Sequence, residues 1–240
     1  HEKRLPPTGK ELIVIMVLVI IPGLLIARQP DLGTSLLVIA AGLMVVFLSG
    51  IPFRYIFSLI ILCIPSSLLL WKFMKDYQRQ RVLTLINPDT DPLGAGYNII
   101  QSKIAMGSGG IFGKGWTNGS QVQLEFLPEK NTDFIFAVVG EEFGLLGVLT
   151  ILTLYILIIG RGLYIASNAS DLYGRLLAGS ISLTFFVYVF VNTAMVIGLM
   201  PIVGIPLPLI SYGGTSMVTL MIGFGMLMSI NSNRKLVAKK

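Results

Sequence analysis

The chain has 240 residues, 54% of them hydrophobic and 12% charged, where soluble globular domains carry about 25% charged residues; with a mean hydropathy of +0.80 it reads as a membrane protein. Its formal charge of +6 could suit nucleic acid, but the basic residues cluster in short loops and tails beside apolar stretches, as membrane orientation requires. A single cysteine, Cys63, excludes an intrachain disulfide framework, and a single histidine, His1, leaves no soft-metal ligand set, so redox and zinc chemistry drop out.

The opening, HEKRLPPTGKELIV, has neither an initiator Met nor a cleavable signal pattern, and the expectation is a fragment of a longer protein. Six apolar stretches reach spanning length, at 12–27, 32–49, 55–74, 134–160, 176–200 and 203–230. The fold expected is therefore an all-α polytopic membrane bundle in one domain over 1–240. The first two stretches are short, which calls for steep helices or a thinned bilayer. QPDLGTS puts Asp31 at the outer end of the second stretch, where a plain helix-start role competes with a functional one.

Lys3, Arg4 and Lys10 precede the first stretch, Arg54 lies between the second and third, Arg161 and Arg175 flank the fourth-to-fifth connection, and Arg234, Lys235, Lys239 and Lys240 close the chain. With an even number of spans these groups share one side, which the positive-inside rule makes cytoplasmic. The opposite side receives residues 28–31, the connection around Pro201, and one long loop over 75–132. Helix connections in bundles are usually short, and longer ones tend to be functional. This loop carries YNIIQSKIAMG, read as a short amphipathic interfacial helix with Ile99, Ile100 and Ile104 around Lys103, and then GSGGIFGKGW. The glycines invite a phosphate-loop reading, but Ser108 and Gly115 stand where that pattern needs Gly and Ser or Thr; a mobile loop that closes over a headgroup is expected instead.

The fourth stretch opens NTDFIFAVVGEEFG. At about 100° per residue, Asp133, Ala137, Gly140, Glu141, Gly144 and Gly147 share roughly a third of a helix circumference. Gly140 and Gly144 would let another backbone approach on that acidic side. Glu142 points the other way and calls for a partner on another helix. Acids inside a span are costly, and either hold the bundle together or take part in function. Asp133 is placed in the first helical turn, capped by Asn131 or Thr132, where the helix dipole favours its anionic form. Arg79, Arg81, Lys103, Lys114 and Lys130 supply cations on the same side of the membrane, suited to a phosphate-bearing lipid headgroup or simply to anionic membrane lipids. GIPLPLISYGGTS predicts a broken or re-entrant start to the last span; Ser211 there has no histidine partner, which rules out a hydrolase triad.

Together QPDLGTS, YQRQRV, DPLGAGYNIIQSKIAMGSGGIFGKGW, LEFLPEKNTDFIFAVVGEE and PLPLISYGGTS resemble the SEDS family of bacterial cell-wall proteins, the long loop being closer to its rod-shape branch than to its division branch. The resemblance runs from about residue 12 to the C-terminus; the family has about ten spans, of which only the last six have counterparts here. It implies a peptidoglycan glycosyltransferase of the bacterial cytoplasmic membrane that polymerises lipid II on the outer face. The partner it implies is a class B penicillin-binding protein transpeptidase. The family's essential extracellular acid falls on Asp133, and Asp31 matches another family acid.

A donor that departs as a diphosphate needs little acid assistance, so one carboxylate can serve where a glycosidase uses two. Asp133 is then the expected general base toward the acceptor hydroxyl, with Arg79, Arg81, Lys103, Lys114 or Lys130 at the diphosphate and Asp31, Glu141, Glu142 and Ser211 in support. A divalent cation between Asp133 and the diphosphate stays an open alternative. The competing readings are a lipid II flippase, which Glu141 and Glu142 favour, and a non-catalytic scaffold for the crosslinking partner.

Overall fold

A computed structural model describes residues 6–232 apart from 30, 53, 55–60, 62–64, 66–70, 73 and 93. His1, Lys3, Arg4, Cys63, most of the third apolar stretch and the basic C-terminal tail lie outside the described residues. Every helix or strand assigned among the rest is helical. The helices are α1 (Gly9–Arg28), α2 (Leu32–Leu48), α3 (Asp76–Ile86), α4 (Ala95–Ser108), the one-turn α5 (Ser120–Gln123), α6 (Ile135–Ser167), α7 (Leu172–Val196) and α8 (Gly214–Ser232), with a 3-10 turn over Pro88–Thr90. Four of them, α1, α6, α7 and α8, are long and apolar enough to cross a membrane; α2 is apolar but shorter.

The chain divides into two compact units, one of His1–Ile61, Ile156–Val187 and Met217–Lys240, the other of Leu62–Tyr155 and Tyr188–Ser216. In the first, α1 and α2 pack through small residues: a Cβ added at Gly23 would come 2.6 Å from Ile39, and one at Gly42 would come 2.3 Å from Val19. Only glycine permits that approach. Ser35 donates its hydroxyl to the Gly23 carbonyl at 2.7 Å, one residue past Pro22 in α1. Asp31 caps α2 by accepting the Thr34 N–H at 3.0 Å. Elsewhere in this unit Ile165, Ala166, Ala178 and Leu227 form a buried cluster, and Phe185 stands 5.6 Å from Phe224.

The second unit contains the long loop, which is ordered into α3, α4 and α5. One face of α4 packs against the protein. Ile99, Ser102 and Ala105, at i, i+3 and i+6, are buried, and Ser102 donates to the Val196 carbonyl at 2.8 Å, while Ile104 faces outward. α7 ends where Leu199 N–H reaches the Ala194 carbonyl and Gly198 N–H the Met195 carbonyl. With Gly198 at φ +72°, this is a Schellman stop, which needs a residue that tolerates the left-handed region.

The last span starts later than its apolar composition predicts. Residues 197–213 are non-helical and α8 begins only at Gly214. The prolines at 206 and 208 lack N–H donors, and Gly204 (φ +75°) and Leu209 (φ +67°) turn the backbone into the left-handed region. The segment's carbonyls and hydroxyl are instead tied to the helices around it, as described next.

Candidate functional site

Three consecutive carbonyls precede α6, and each accepts a hydrogen bond from the second half of the chain. Tyr212 N–H donates to the Asn131 carbonyl at 2.9 Å. The Ser211 hydroxyl donates to the Thr132 carbonyl in a short bond. The Asn192 amide donates to the Asp133 carbonyl at 2.9 Å and to the Ile205 carbonyl at 2.7 Å. Ser211 also accepts the Leu207 N–H at 2.7 Å, and the Tyr155 hydroxyl holds the Pro208 carbonyl at 2.6 Å. Asn192 is fully buried, so these bonds have no water to replace them.

Asp133 sits in this clamp, two residues ahead of the helix rather than inside it: α6 starts at Ile135. Phe134 N–H and Thr132 N–H both return to the Glu129 carbonyl, at 3.2 and 3.1 Å, and the Thr132 hydroxyl binds the Glu129 carboxylate at 2.7 Å. The first-turn placement expected from sequence is thereby corrected, and so is its electrostatic consequence. Burial lifts the Asp133 carboxyl above its ordinary range, and the Glu129 charge adds to the rise; both favour a stronger base. A Cβ at Gly204 would lie 3.6 Å from Asp133 Oδ2, an ordinary contact distance, which puts this turn of the non-helical segment beside the carboxylate.

Glu141 and Glu142 have different work. α6 is broken at Gly144, whose backbone (φ 64°, ψ −159°) is not helical, so the hydrogen-bond ladder opens there. The glycine-rich turn closes it. Lys114 N–H and Gly115 N–H donate to the Glu141 and Glu142 carbonyls, each at 3.0 Å, while Leu145 and Leu146 N–H donate to the Gly110 and Ile111 carbonyls at 2.9 and 3.2 Å. A Cβ at Gly109 would meet the Gly140 carbonyl at 1.9 Å, and one at Gly113 the Glu142 carbonyl at 2.1 Å. The glycines serve close backbone approach, which corrects the expectation of a mobile loop. The Gly140–Gly144 pair admits a neighbouring backbone as expected, and that backbone is the loop.

The Glu141 side chain is buried and accepts from Lys114 Nζ at 2.7 Å, Gln121 N–H at 3.0 Å, Ser120 Oγ at 3.2 Å and Val122 N–H at 3.3 Å. Glu142 accepts the Thr117 N–H at 3.2 Å. Its partner is the same loop, not another helix as the straight-helix reckoning required.

The cations divide accordingly. Lys114 is paired with Glu141. Lys130 donates to the Val122 carbonyl at 3.0 Å and lies 3.8 Å from Glu125. Arg79 donates to the Trp71 and Lys72 carbonyls at 3.0 and 2.9 Å. Lys103 lies across Gly198, where an added Cβ would come 2.6 Å from its Nζ. Arg81 and Lys103 have no polar partner among the described residues. No group of three or more His, Cys, Asp and Glu comes together among the described residues, so a cation at Asp133 would draw most of its ligands from phosphate and water, as Mg²⁺ commonly does. Asn192, Tyr155 and Gly113 were not singled out in the sequence. The one signal available was an amide, Asn192, within the apolar run FVNTAMV.

The chain as a whole is similar to known proteins. The chain belongs to the FtsW/RodA/SpoVE family, described as cell cycle proteins, which it matches over residues 1–236. It is 57% identical over 235 residues to the peptidoglycan glycosyltransferase MrdB of Escherichia coli K12, covering 98% of this chain and 64% of that protein. To the peptidoglycan glycosyltransferase RodA of Treponema pallidum it is 45% identical over 180 residues, 75% of this chain and 42% of the relative. The structure aligns at a TM-score of 0.79 and 34% identity with a chain of a peptidoglycan synthase complex that coordinates polymerization and crosslinking, covering 98% of this chain and 66% of that one. With the crystal structure of Thermus thermophilus RodA the TM-score is 0.65 at 27% identity, over 98% and 61% of the two chains. The chain thus spans 64% of the E. coli relative, and its spans and family make it an integral membrane protein.

Proposed function

We propose that this chain carries the catalytic face of a peptidoglycan glycosyltransferase that polymerises lipid II outside the bacterial inner membrane, alongside a penicillin-binding transpeptidase. The observation that carries the reading is the clamped, half-buried Asp133 with its raised pKa. Its carboxylate takes the proton from the acceptor sugar 4-hydroxyl as that oxygen attacks the donor anomeric carbon with inversion. Undecaprenyl diphosphate departs from the opposite face, its growing charge met by Arg81 and Lys103, whose side chains are otherwise uncommitted among the described residues. Arg79, Lys114 and Lys130 act indirectly, by holding the loop. A carboxylate whose burial raises its basicity suits proton removal better than one weakened by a helix dipole.

The flippase reading rested on Glu141 and Glu142 as translocation groups. Both are bound by the loop, which leaves them less suited to that task. The test is a gel of glycan products from labelled lipid II, using the full natural protein with its transpeptidase partner. Asp133→Asn should reduce polymerisation by at least ~100-fold, the scale of a lost general base, with unchanged folding and partner binding. Equal product from both proteins would sink the mechanism.

A further inference from the structure

We propose that the glycine-rich turn over residues 109–116 is inserted among the acyl chains of the surrounding bilayer, as a re-entrant lip that fixes the long loop at membrane depth. Ile111, Phe112 and Trp116 are 59%, 79% and 71% exposed, and the Trp116 ring stands 5.6 Å from Phe143. This apolar tip is continuous with the outer side of α6, where Leu145, Leu146 and Leu149 are half-exposed on a helix of spanning length. The hydroxyls on that stretch, Thr150 and Thr153, donate to the Leu146 and Leu149 carbonyls of their own helix at 2.7 Å, as residues facing hydrocarbon do.

Irregular backbone survives in a membrane only where its polar groups are satisfied within the protein. Where the turn meets the break in α6 its backbone is paired: Lys114 and Gly115 donate to Glu141 and Glu142, Gly110 and Ile111 accept from Leu145 and Leu146, and Gly113 N–H closes on the Gly109 carbonyl at 2.8 Å. Its one charged side chain, Lys114, is neutralised by Glu141 at 2.7 Å, so insertion desolvates no free charge. Three large apolar side chains projecting from a turn whose backbone is tied to α6, beside a span of lipid-facing composition, fit acyl chains, with Trp116 suited to the interfacial level.

The test places a nitroxide at Phe112→Cys in the full natural protein, with every other cysteine, Cys63 included, replaced by serine, in nanodiscs of phosphatidylethanolamine and phosphatidylglycerol. Collision rates with oxygen, which concentrates in hydrocarbon, are compared with those of a water-soluble nickel chelate. The expected oxygen-to-nickel ratio matches that of Leu149→Cys and exceeds that of the exposed Glu125→Cys several-fold. Ile111→Cys, read the same way, guards against local misfolding at residue 112. A ratio equal to that at Glu125 would mean a water-facing turn. Suppression of both collision rates together would mean a covering protein. Either result overturns the proposal.

Discussion

Replacing Asn192 by alanine removes two buried donors and leaves the Asp133 and Ile205 carbonyls without them. Each orphaned group costs about 1–3 kcal/mol. Polymerisation is expected to fall by more than tenfold, with a lower melting temperature, and a product gel run beside a thermal melt checks both. The pH profile should carry the Asp133 environment too. The base works ionised, so activity is lost as pH falls through its raised pKa; the acid limb should lie above the ordinary Asp value of about 3.9. Glu129→Gln deletes a charge that raises this pKa, and should move the limb to lower pH; an unmoved limb would show that the Glu129 charge does not reach Asp133. Asp133 was legible because NTDF lies where a polar loop meets an apolar run. Its clamp was not, since Asn192 and Ser211 are about 60 and 80 residues away and nothing local marks which carbonyl a buried amide will find.

α6 and the glycine turn form one element in two pieces of sequence. Gly144→Ala would hold a side chain at φ 64°, ψ −159° with its Cβ 2.3 Å from Gly113 N, adding a clash to the roughly 1–3 kcal/mol of a side chain in a backbone region essentially reserved for glycine. A strong loss of folded yield is expected by size-exclusion chromatography. Lys114→Met and Glu141→Gln should each destabilise by about 3 kcal/mol, the scale of breaking a buried pair. The double variant should lose well under the sum, since neither group is then left alone; an additive result would show that the pair is not coupled. The glycine spacing in both segments announced close approach, but the sequence could not say that they approach each other. Counting 100° per residue through Gly144 assumed a straight helix, and that assumption set Glu142 facing away from its partner in the loop.

At the scale of the molecule, the apolar stretches and the family were legible, because hydropathy and five ordered motifs extend through most of the chain. Start points of spans were less so: residues 203–213 are as apolar as a helix but are spent on turns and carbonyl contacts. The charge pattern predicts that Glu125→Cys reacts with an impermeant thiol reagent added outside intact cells, and that Arg175→Cys reacts only after permeabilisation; the reverse result would invert the topology. The break at Gly144 also bears on biosynthesis. The ribosome makes residues 109–115 before it makes α6, so the groups that complete the break are already waiting when that span emerges. Until they dock, the opened rungs would face hydrocarbon unpaired, at several kcal/mol for each group. Such a cost would couple entry of α6 into the bilayer to seating of the turn, so that a nascent chain whose turn is held away from the membrane would be expected to insert that span poorly.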